Sequence, residues 1–416
     1  MVRLDGGNMS YRNKFSLIII SAVLVCYTVV GGLLGRGVGQ EGAYSQLAIF
    51  NEVLAKIKGS YVENPDLSKV MHGALLGLLE SLDPYCTYLT AEEYARYQIS
   101  RTSGDGEIGL ELSKEKMLGY IYVIHPIEEG SSERAGVQSG DVIEAIEGVN
   151  TQDVSLVQAG YLLSGEIGSE VKLKILRRGR SDPLEISVVR EKIKISPVRN
   201  RLIKKQIGYL RVSRFVKGVG KELRSNLKAV ISQGADRLIL DLRNCGGNEF
   251  DEGIEVANLF LDHGVIAYSE GQQSEKKEFT ADPDKVISKL PLVVLQNYGS
   301  ASAAEIVSVA IKENQRGEIV GVRSFGKAVI QRIIPLDGQS AVLLSVAKFY
   351  SQSGQVIQNK GIIPDYEVPG DLDVRMVFPR DPGAEEVKPP REDKDIQLQK
   401  AIELLTKPLE QERKTA

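Results

Sequence analysis

Two serines in one short segment are the first candidates for chemistry. Ser300 and Ser302 lie in "LQNYGSASAAEIVSVAIKEN" (residues 295–314), which overlaps the end of the apolar run "PLVVL". The run is typical of a buried strand, and the small residues after Gly299 are typical of the first turn of a helix. A serine in that place lies near free N–H groups that stabilise an oxyanion, but it can equally cap the helix. The segment therefore allows a nucleophile, a capping residue or both.

A serine becomes a strong nucleophile only beside a base, and histidine is scarce in this chain. The three histidines are His72, in an apolar helical pattern, His125, after a strand-like run, and His263, near a predicted helix end. Lys327, in "GEIVGVRSFGKAVIQRIIPL", is the other candidate, because burial would lower its pKa from about 10.4 toward neutrality. On a strand, Lys327 and Gln331 would share one face, so that Gln331 would orient the lysine.

The same segment contains "SFGK", which spans Ser324 to Lys327 and matches the SxxK pattern of penicillin-binding enzymes. That pattern requires a helix to bring its serine and lysine together. The β-branched flanks and Gly326 favour a strand instead, in which residues three apart face opposite sides. Ser324 is therefore a poor candidate for the nucleophile.

Composition narrows the classes of protein that the chain can represent. With 416 residues, of which 42% are hydrophobic and 26% charged, we expect two or three globular domains. A net charge of -3 gives no indication of nucleic acid as a partner. The three cysteines form no CxxC pair and no HExxH occurs, so we expect neither a metal nor another cofactor.

The first forty residues predict a membrane anchor. Residues 15–35, "FSLIIISAVLVCYTVVGGLLG", carry no charge and are long enough to span a hydrocarbon core as a helix. Arg3, Arg12 and Lys14 precede the run, so residues 1–14 are predicted to be cytoplasmic and the rest of the chain extracytoplasmic. The length of the run favours an uncleaved signal anchor over a cleaved signal peptide.

The remainder of the chain divides into four regions of different pattern. Apolar residues at helical spacing predict an N-terminal helical region at 43–98, and glycine-punctuated short strands predict a β-rich domain at 103–192. Alternating strands and helices predict a layered α/β core with a mainly parallel sheet at 197–370. Residues 371–416 indicate a charged linker and a terminal helix. The predicted fold class is therefore multidomain α/β.

Two stretches of the β-rich region resemble a known domain. They are "GEIGLELS" and "SSERAGVQSGDVIEAIEGVN", and together they are similar to a PDZ domain in its bacterial, circularly permuted form. The resemblance implies that a loop of backbone N–H groups receives the C-terminal carboxylate of a peptide, while the adjacent strand edge pairs with the peptide. The residues implied in this contact are Ile108, Gly109, Leu110 and Glu111.

From Ala43 to about Val368 the chain resembles the carboxy-terminal processing peptidases, the tail-specific serine proteases of family S41. The family pattern has a serine followed by two small residues and a glutamate, then a lysine twenty-five positions after the serine and a glutamine four positions further on. Ser302, Lys327 and Gln331 satisfy these spacings, and "SLDPYCTYL", "LILDLRN" and "KFYSQSGQVIQNKGIIPD" agree with the family as well. The resemblance implies that these three residues are the nucleophile, the general base and the residue that orients the lysine.

The family also places oxyanion donors in a glycine loop after "LDLR", which here reads "NCGGN". The resemblance implies the N–H groups of Gly247 and Ala303 as donors, with Asn248 at the family's second glycine. Ala328 replaces a glycine of the family pattern, and Ser164 replaces a basic residue of its PDZ domain. These departures support the alternative function, a non-catalytic peptide-binding scaffold of the same fold, whereas the complete catalytic pattern opposes it.

The resemblance implies a serine endopeptidase of the cell envelope that recognises protein substrates by their C-terminal tails. We expect it to be anchored in the cytoplasmic membrane, with the protease facing the periplasm or another extracytoplasmic space. Two further expectations come from the family: the helical region 43–98 forms a homodimer contact, and the PDZ domain covers the site until a tail binds.

Overall fold

The computed structural model describes most of the chain beyond its first 39 residues; the described ranges are 40–100, 105–114, 119–193, 196–370 and 395–406. The predicted cytoplasmic segment and the predicted anchor, residues 1–35, lie outside these ranges. None of the helices in the described ranges is both long enough and apolar enough to cross a membrane. The chain divides into a part that ends at Met71 and a part that begins at His72.

The region predicted to be helical contains three helices and one strand. The helices are α1 (Gln40–Ser60), α2 (Leu67–Glu80) and α3 (Ala91–Ser100). The strand β1 (Thr87–Leu89) follows a turn at Pro84 and consists of β-branched, aromatic and aliphatic residues, which suit a pleated sheet. It pairs antiparallel with a strand far along the chain, so that Thr87 lies opposite Leu343.

The β-rich region forms an antiparallel sheet in the order β2-β3-β4-β6-β7, with the short strand β5 beside β4. Helix α5 (Leu156–Leu163) starts at a capping box, in which Ser155 and Gln158 bond each other's backbone N–H groups. The alternate, inward-facing side chains of the strands, such as Val171 and Ile175, form a separate apolar core. The bounds are β2 (Leu110–Lys114), β3 (Ile121–Pro126), α4 (Ser131–Arg134), β4 (Val142–Ile146), β5 (Val149–Asn150), β6 (Glu170–Leu176) and β7 (Leu184–Val189).

The predicted α/β core is confirmed. Its sheet has the order β17-β14-β13-β10-β9-β8, and every pairing is parallel except that of β8 with β9. Strands separated by helices are expected to pair in this way, because the helix returns the chain to the same edge. The bounds are β8 (Val198–Ile203), β9 (Ile207–Val212), α6 (Val219–Ser232), β10 (Arg237–Asp241), α7 (Phe250–Asn258), β13 (Leu292–Gln296), α8 (Ala303–Glu313), β14 (Glu318–Gly321) and β17 (Tyr366–Glu367).

A second sheet of the core joins β1 to the strands around the catalytic pattern. Its order is β1-β16-β11-β12, and β15 also pairs with β16. Cys86, just before β1, and Cys245, just after β10, are buried free thiols. The bounds are β11 (Val265–Gly271), β12 (Ser274–Thr280), β15 (Val329–Pro335) and β16 (Ala341–Tyr350).

Apolar side chains cover both faces of the parallel sheet. Helices α6, α7 and α8 bury one face, with Leu223, Val256 and Ile306 inside the largest core. The predicted terminal helix is present as α9 (Ile396–Thr406) and covers the other face, where Ala401 is fully buried. The parallel strands are therefore apolar on both sides, as "RLILD" and "LVVLQ" predict.

Candidate active site

Ser302 occupies a sharp turn between β13 and α8. It lies at the N-cap position of the helix, and its backbone has φ 61° and ψ -120°. A non-glycine residue with positive φ is strained by roughly 1–3 kcal/mol and persists only where its surroundings hold it. Ser300 does not cap the helix: its Oγ accepts the N–H of Asn297 at 2.9 Å and donates to the carbonyl of Leu242 at 2.7 Å. The capping role that the sequence allowed for Ser300 is therefore wrong, and its hydroxyl instead stabilises the turn before the helix.

Glu305 holds the backbone of this turn. Its carboxylate is fully buried and accepts the N–H of Ser302 at 3.0 Å and the N–H of Lys327 at 2.8 Å. The second carboxylate oxygen accepts the N–H of Gly326 at 2.7 Å and the hydroxyl of Ser324 at 2.5 Å. Burial raises the pKa of Glu305 to about 7, although all four donors favour the carboxylate form. One side chain thus links the backbones of the candidate nucleophile and the candidate base.

Lys327 lies in a loop between β14 and β15, and the prediction that "SFGK" forms a strand is wrong. Gly326 has φ +92°, and a Cβ at this position would lie 2.8 Å from the backbone nitrogen of Gly361. Only glycine fits so tight a turn, which directs the N–H groups of residues 326 and 327 to Glu305 instead of to a neighbouring strand. Ser324 remains excluded as a nucleophile, but for a different reason: its Oγ is bonded to Glu305 and to the N–H of Ile362.

The side chain of Lys327 is engaged by the PDZ region. Its Nζ donates to Oε1 of Glu111 at 2.6 Å, and the lysine is only 8% exposed. Burial lowers the pKa of Lys327, but the Glu111 carboxylate outweighs burial and raises the pKa above its usual range. The same pair lowers the pKa of Glu111, against the effect of its burial. In this arrangement the pairing favours the ammonium form of Lys327, and the neutral form that the sequence predicts requires Glu111 to move away.

Gln331 lies near the lysine but does not bond it. Its Nε2 donates to the backbone carbonyl of Tyr85 at 2.6 Å. Gln331 and Lys327 do not share a strand face as predicted, because β15 begins at Val329, after the lysine. Both side chains nevertheless line one cavity, so the structure brings them together by a different route.

The glycine loop after β10 lies beside the turn that carries Ser302. The N–H of Ala303 donates to the carbonyl of Gly247 at 3.4 Å, so the two predicted oxyanion donors are adjacent. In this arrangement, however, Gly247 offers its carbonyl to Ala303 and the N–H of Ala303 is occupied. Asn248 also reaches the site, because its Oδ1 accepts the Ser302 hydroxyl at 3.5 Å. An oxyanion hole at this place requires the carbonyl of Gly247 to turn away.

The predicted peptide-binding residues line one cavity of about 290 Å³ together with Lys327 and Gln331, whereas Ser302 is fully buried and does not line it. Ile108 and Gly109 form the turn before β2, and their carbonyls accept the N–H groups of Ser132 and Ile127 inside the domain. The cavity continues over apolar residues of α5 to Lys327. Its lining residues that the sequence singled out are Ile108, Gly109, Leu110, Glu111, Ser164, Asn248, Lys327 and Gln331.

Charge complementarity joins the PDZ region to the core around this cavity. Four carboxylates of the PDZ region face four cations of the core. The pairs are Glu111 with Lys327 at 2.6 Å, Glu129 with Arg199 at 2.7 Å, Glu128 with Arg211 at 3.1 Å and Glu107 with Arg214 at 3.8 Å. The Lys327 pair is the most buried of the four, and the rim pairs contribute less because solvent screens them.

His125 of β3 lies at the same contact. It is buried, and a Cβ at position 246 of the glycine loop would lie 3.2 Å from its Cε1. Its Nδ1 is buried without a hydrogen-bond partner among the described residues. Burial lowers the pKa of His125 to about 4, so the ring is neutral at physiological pH. It packs the PDZ region against the glycine loop beside Ser302.

Two residues near the catalytic pattern were not assigned a function from the sequence. Tyr85 lies in "SLDPYCTYL", a family motif with no chemical group that points to catalysis, and Asn248 stands where the family has a glycine. Both line the cavity with Lys327. The signal for Tyr85 was the motif itself. No local pattern could have placed Tyr85 beside a lysine more than two hundred residues away.

The fold and the site together define the class of protein. A strained serine at a strand-to-helix turn, a buried lysine tied to the same backbone network and an attached peptide-binding domain are the features of a serine hydrolase that acts on polypeptides. Comparison with known proteins agrees. The profile of peptidase family S41 matches residues 206–368, and that of the PDZ domain matches residues 106–188.

Relatives with established names extend the match over most of the chain. A carboxy-terminal-processing protease of Bartonella bacilliformis is 36% identical over 334 residues, which are 79% of this chain and 76% of that protein. A carboxyl-terminal-processing protease of Synechocystis is 34% identical over 84% of this chain and 80% of its own length. The solved structure of a photosystem II D1 C-terminal processing protease superposes with a TM-score of 0.66 at 27% identity, over 77% of this chain and 92% of the other. The chain belongs to the carboxy-terminal processing proteases of peptidase family S41 and is a serine-type endopeptidase.

Proposed function

We propose that Ser302 is the nucleophile of this protease and Lys327 its general base, and that the PDZ domain, residues 103–192, captures the C-terminal tail of a protein substrate. The observation that carries the proposal is the Glu305 carboxylate, which binds the backbone N–H groups of both Ser302 and Lys327. A buried carboxylate shared in this way fixes the spacing of two backbones whose side chains must exchange a proton.

In the proposed reaction, neutral Lys327 takes the proton of Ser302 as Oγ attacks the scissile carbonyl. The ammonium group then returns the proton to the leaving amine, and an ester between Ser302 and the substrate remains. A water molecule, deprotonated by the same lysine, hydrolyses the ester and restores the serine. Gln331 orients the lysine, and the N–H groups of Gly247 and Ala303 receive the oxyanion.

Three contacts must be broken before this reaction starts. Lys327 Nζ has to leave Glu111, and Ser302 Oγ has to leave Asn248. The N–H of Ala303 must also be released from the carbonyl of Gly247. The arrangement described above therefore supports a resting enzyme, in which the PDZ domain keeps the base protonated. Binding of a tail at Ile108 to Glu111 would start the exchange.

Removal of either reacting side chain tests the assignment. Ser302→Ala and Lys327→Ala should each reduce cleavage of a tail-bearing, unstructured protein by at least about 10³-fold, because a serine-base pair acts as a unit. New termini are counted by mass spectrometry, and folding is checked by circular dichroism. Ser225→Ala and Lys221→Ala on the surface of α6 are matched controls that should cleave normally. Undiminished turnover by Ser302→Ala would refute the nucleophile, and tail binding without cleavage by the unsubstituted chain would favour the non-catalytic scaffold.

Location and assembly are also part of the proposal. Residues 15–35 would anchor the chain in the cytoplasmic membrane, with the protease on the periplasmic or other extracytoplasmic side of the cell envelope. Release of the chain from membranes by a salt wash would contradict the anchor.

Exposed apolar side chains on α1, among them Leu47 and Phe50, support a homodimer contact in region 43–98. An unchanged dimer after deletion of residues 1–98 would exclude this contact.

A further inference from the structure

A tight turn and a strand pairing hold the motif "SLDPYCTYL" against the sheet that contains β15 and β16. The carboxylate of Asp83 accepts the N–H groups of Tyr85 at 2.9 Å and Cys86 at 3.0 Å, which closes a tight turn. Strand β1 starts at the next residue and pairs with β16, the neighbour of the strand that carries Gln331. The turn therefore holds Tyr85 at a fixed place relative to the candidate catalytic residues.

Tyr85 makes two contacts with those residues. The Nζ of Lys327 lies 5.2 Å from the centre of the Tyr85 ring, within the range of a cation–π interaction. The carbonyl of Tyr85 accepts the amide of Gln331 at 2.6 Å. With only 7% of its surface exposed, Tyr85 also forms an apolar wall beside the lysine. One residue thus contacts both the candidate base and the residue expected to orient it.

A third contact links Tyr85 to the PDZ domain. Its hydroxyl lies 3.2 Å from the hydroxyl of Ser113 on β2. Glu111, which binds Lys327, precedes Ser113 by two residues on the same strand, and alternate residues of a strand face the same side. Leu110 and Leu112 pack on the apolar core of the PDZ domain. The face of β2 that carries Glu111 and Ser113 therefore contacts Lys327 and Tyr85.

We propose that Tyr85 is a positioning residue for Lys327. The aromatic face holds Nζ in place and stabilises the ammonium group that forms when the lysine takes the proton of Ser302. The carbonyl keeps Gln331 beside the lysine, and the hydroxyl connects this arrangement to β2, the strand to which a tail is expected to add. This role rests on the proposed function, in which Lys327 is the general base.

The chemistry of the ring gives the proposal a graded test. Fluorine atoms on a phenyl ring withdraw electron density from its face and weaken its attraction for a cation, with little change in shape. Tyr85→Phe and its difluoro and trifluoro phenylalanine analogues, made in the full chain in detergent, form such a series. Each step should lower the affinity of Lys327 for its proton. In a plot of kcat against pH, the rise on the acidic side (the acid limb) should therefore move to lower pH.

Across the series the acid limb should move by about 0.5 to 1 pH unit, and kcat at its plateau should fall about threefold to tenfold. KM for the tail-bearing substrate should stay within about twofold, because the fluorinated rings keep nearly the same size and shape in the cavity. The same analogues at Tyr88, whose ring contacts His72, are the matched control and should leave both quantities unchanged. A purely structural role for Tyr85 would lower kcat without moving the limb.

The hydroxyl is tested separately. Tyr85→Phe and Ser113→Ala should produce the same change in cleavage of a substrate that lacks the tail, and the double variant should add nothing to either. Fully additive effects would overturn the link to β2. If the acid limb stays in place across the fluorinated series, the proposed role of the ring is overturned. The proposed function still stands in that case, provided that the unsubstituted chain cleaves the substrate. If the unsubstituted chain cleaves nothing, the proposed function fails and the role of Tyr85 fails with it.

Discussion

The two halves of the candidate site are held in different ways. Ser302 is fixed by its own fold: its N–H bonds Glu305, three residues along, and its strained backbone lies between a buried strand and a buried helix. The Nζ of Lys327 is instead held by Glu111, a residue of another domain that lies 216 positions away in sequence. We call Glu305 and the backbones of Ser302 and Lys327 that it bonds the frame of the site. The frame is complete in this arrangement, whereas the protonation of the candidate base depends on the PDZ domain.

This difference separates assembly of the site from its activation. All four donors to Glu305 belong to the core, so we expect this carboxylate to hold the backbones of Ser302 and Lys327 together with or without a bound tail. In the proposed reaction Glu111 would oppose proton transfer to Lys327, because a lysine paired with a carboxylate keeps its proton. A movement of β2 by a few ångströms would release the lysine without any change in the frame. The protease would thus need no refolding of its core to become active.

The largest effect is expected from breaking the frame. Glu305→Gln replaces an acceptor oxygen by an NH₂ group that faces N–H donors, so at least one buried donor loses its partner. We expect kcat to fall by about 10²- to 10³-fold, because a displacement of about 1 Å at a reacting group is enough for the lower figure. Thermal unfolding should also occur at a lower temperature. Both are measured on the purified full chain.

A suitable control lies on the same helix. Glu313, the last residue of α8, binds the exposed Ser353, and Glu313→Gln should leave both kcat and unfolding close to those of the unsubstituted protein. If Glu305→Gln kept kcat within about threefold of normal, the frame would not depend on this carboxylate. The distinction between a fixed frame and a switched base would then be lost.

The next largest effect is expected at Lys327, the half of the site whose protonation depends on Glu111. Glu111→Gln removes the charge that raises the pKa of Lys327 and leaves burial, which lowers it. The neutral lysine should become more abundant near neutral pH, so cleavage of a substrate without a tail should rise about tenfold, with the acid limb at lower pH. Glu107→Gln, which weakens only the 3.8 Å pair with Arg214 at the rim, is the control. Equal or lower basal activity in Glu111→Gln would show that Glu111 does not restrain the base.

The limits of prediction from sequence follow the same division. Spacing and local pattern were sufficient for the α/β core, because each strand and helix carries its own periodicity. The family spacing also singled out Ser302, Glu305 and Lys327, and in the structure Glu305 bonds the backbones of the other two. The strand predicted for "SFGK" failed because Glu305 captures the backbone N–H groups that a strand would use for pairing. The partner of Lys327 was not predictable, since it depends on how a second domain packs against the core.

Two smaller differences have the same origin. Strand β1 was missed within a helical region because its pairing partner, β16, is distant in sequence. Ser300 was a plausible helix cap, but its hydroxyl bonds Leu242 on a neighbouring segment of the core. In each case a tertiary contact decided between local alternatives that the sequence left open.

The smallest effect is expected at His125, which packs β3 of the PDZ domain against Gly246 in the glycine loop of the core. Burial lowers its pKa to about 4, and the charged groups that also act on it are Glu111, Arg211, Lys327 and Arg214. Since the unfolded chain has the ordinary pKa of about 6.5, the neutral ring contributes stability above pH 6.5 that is lost as the pH falls toward 4.

Between pH 7.5 and pH 6 this loss should amount to about 1 kcal/mol of unfolding free energy. His125→Asn carries no titrating group and should lose correspondingly less between the same two pH values, as measured by urea unfolding. Equal losses in the unsubstituted chain and in His125→Asn would mean that the ring is not held neutral at this contact. A loss confined to chains with His125 would show that this buried, neutral ring makes the stability of the folded chain sensitive to mild acid.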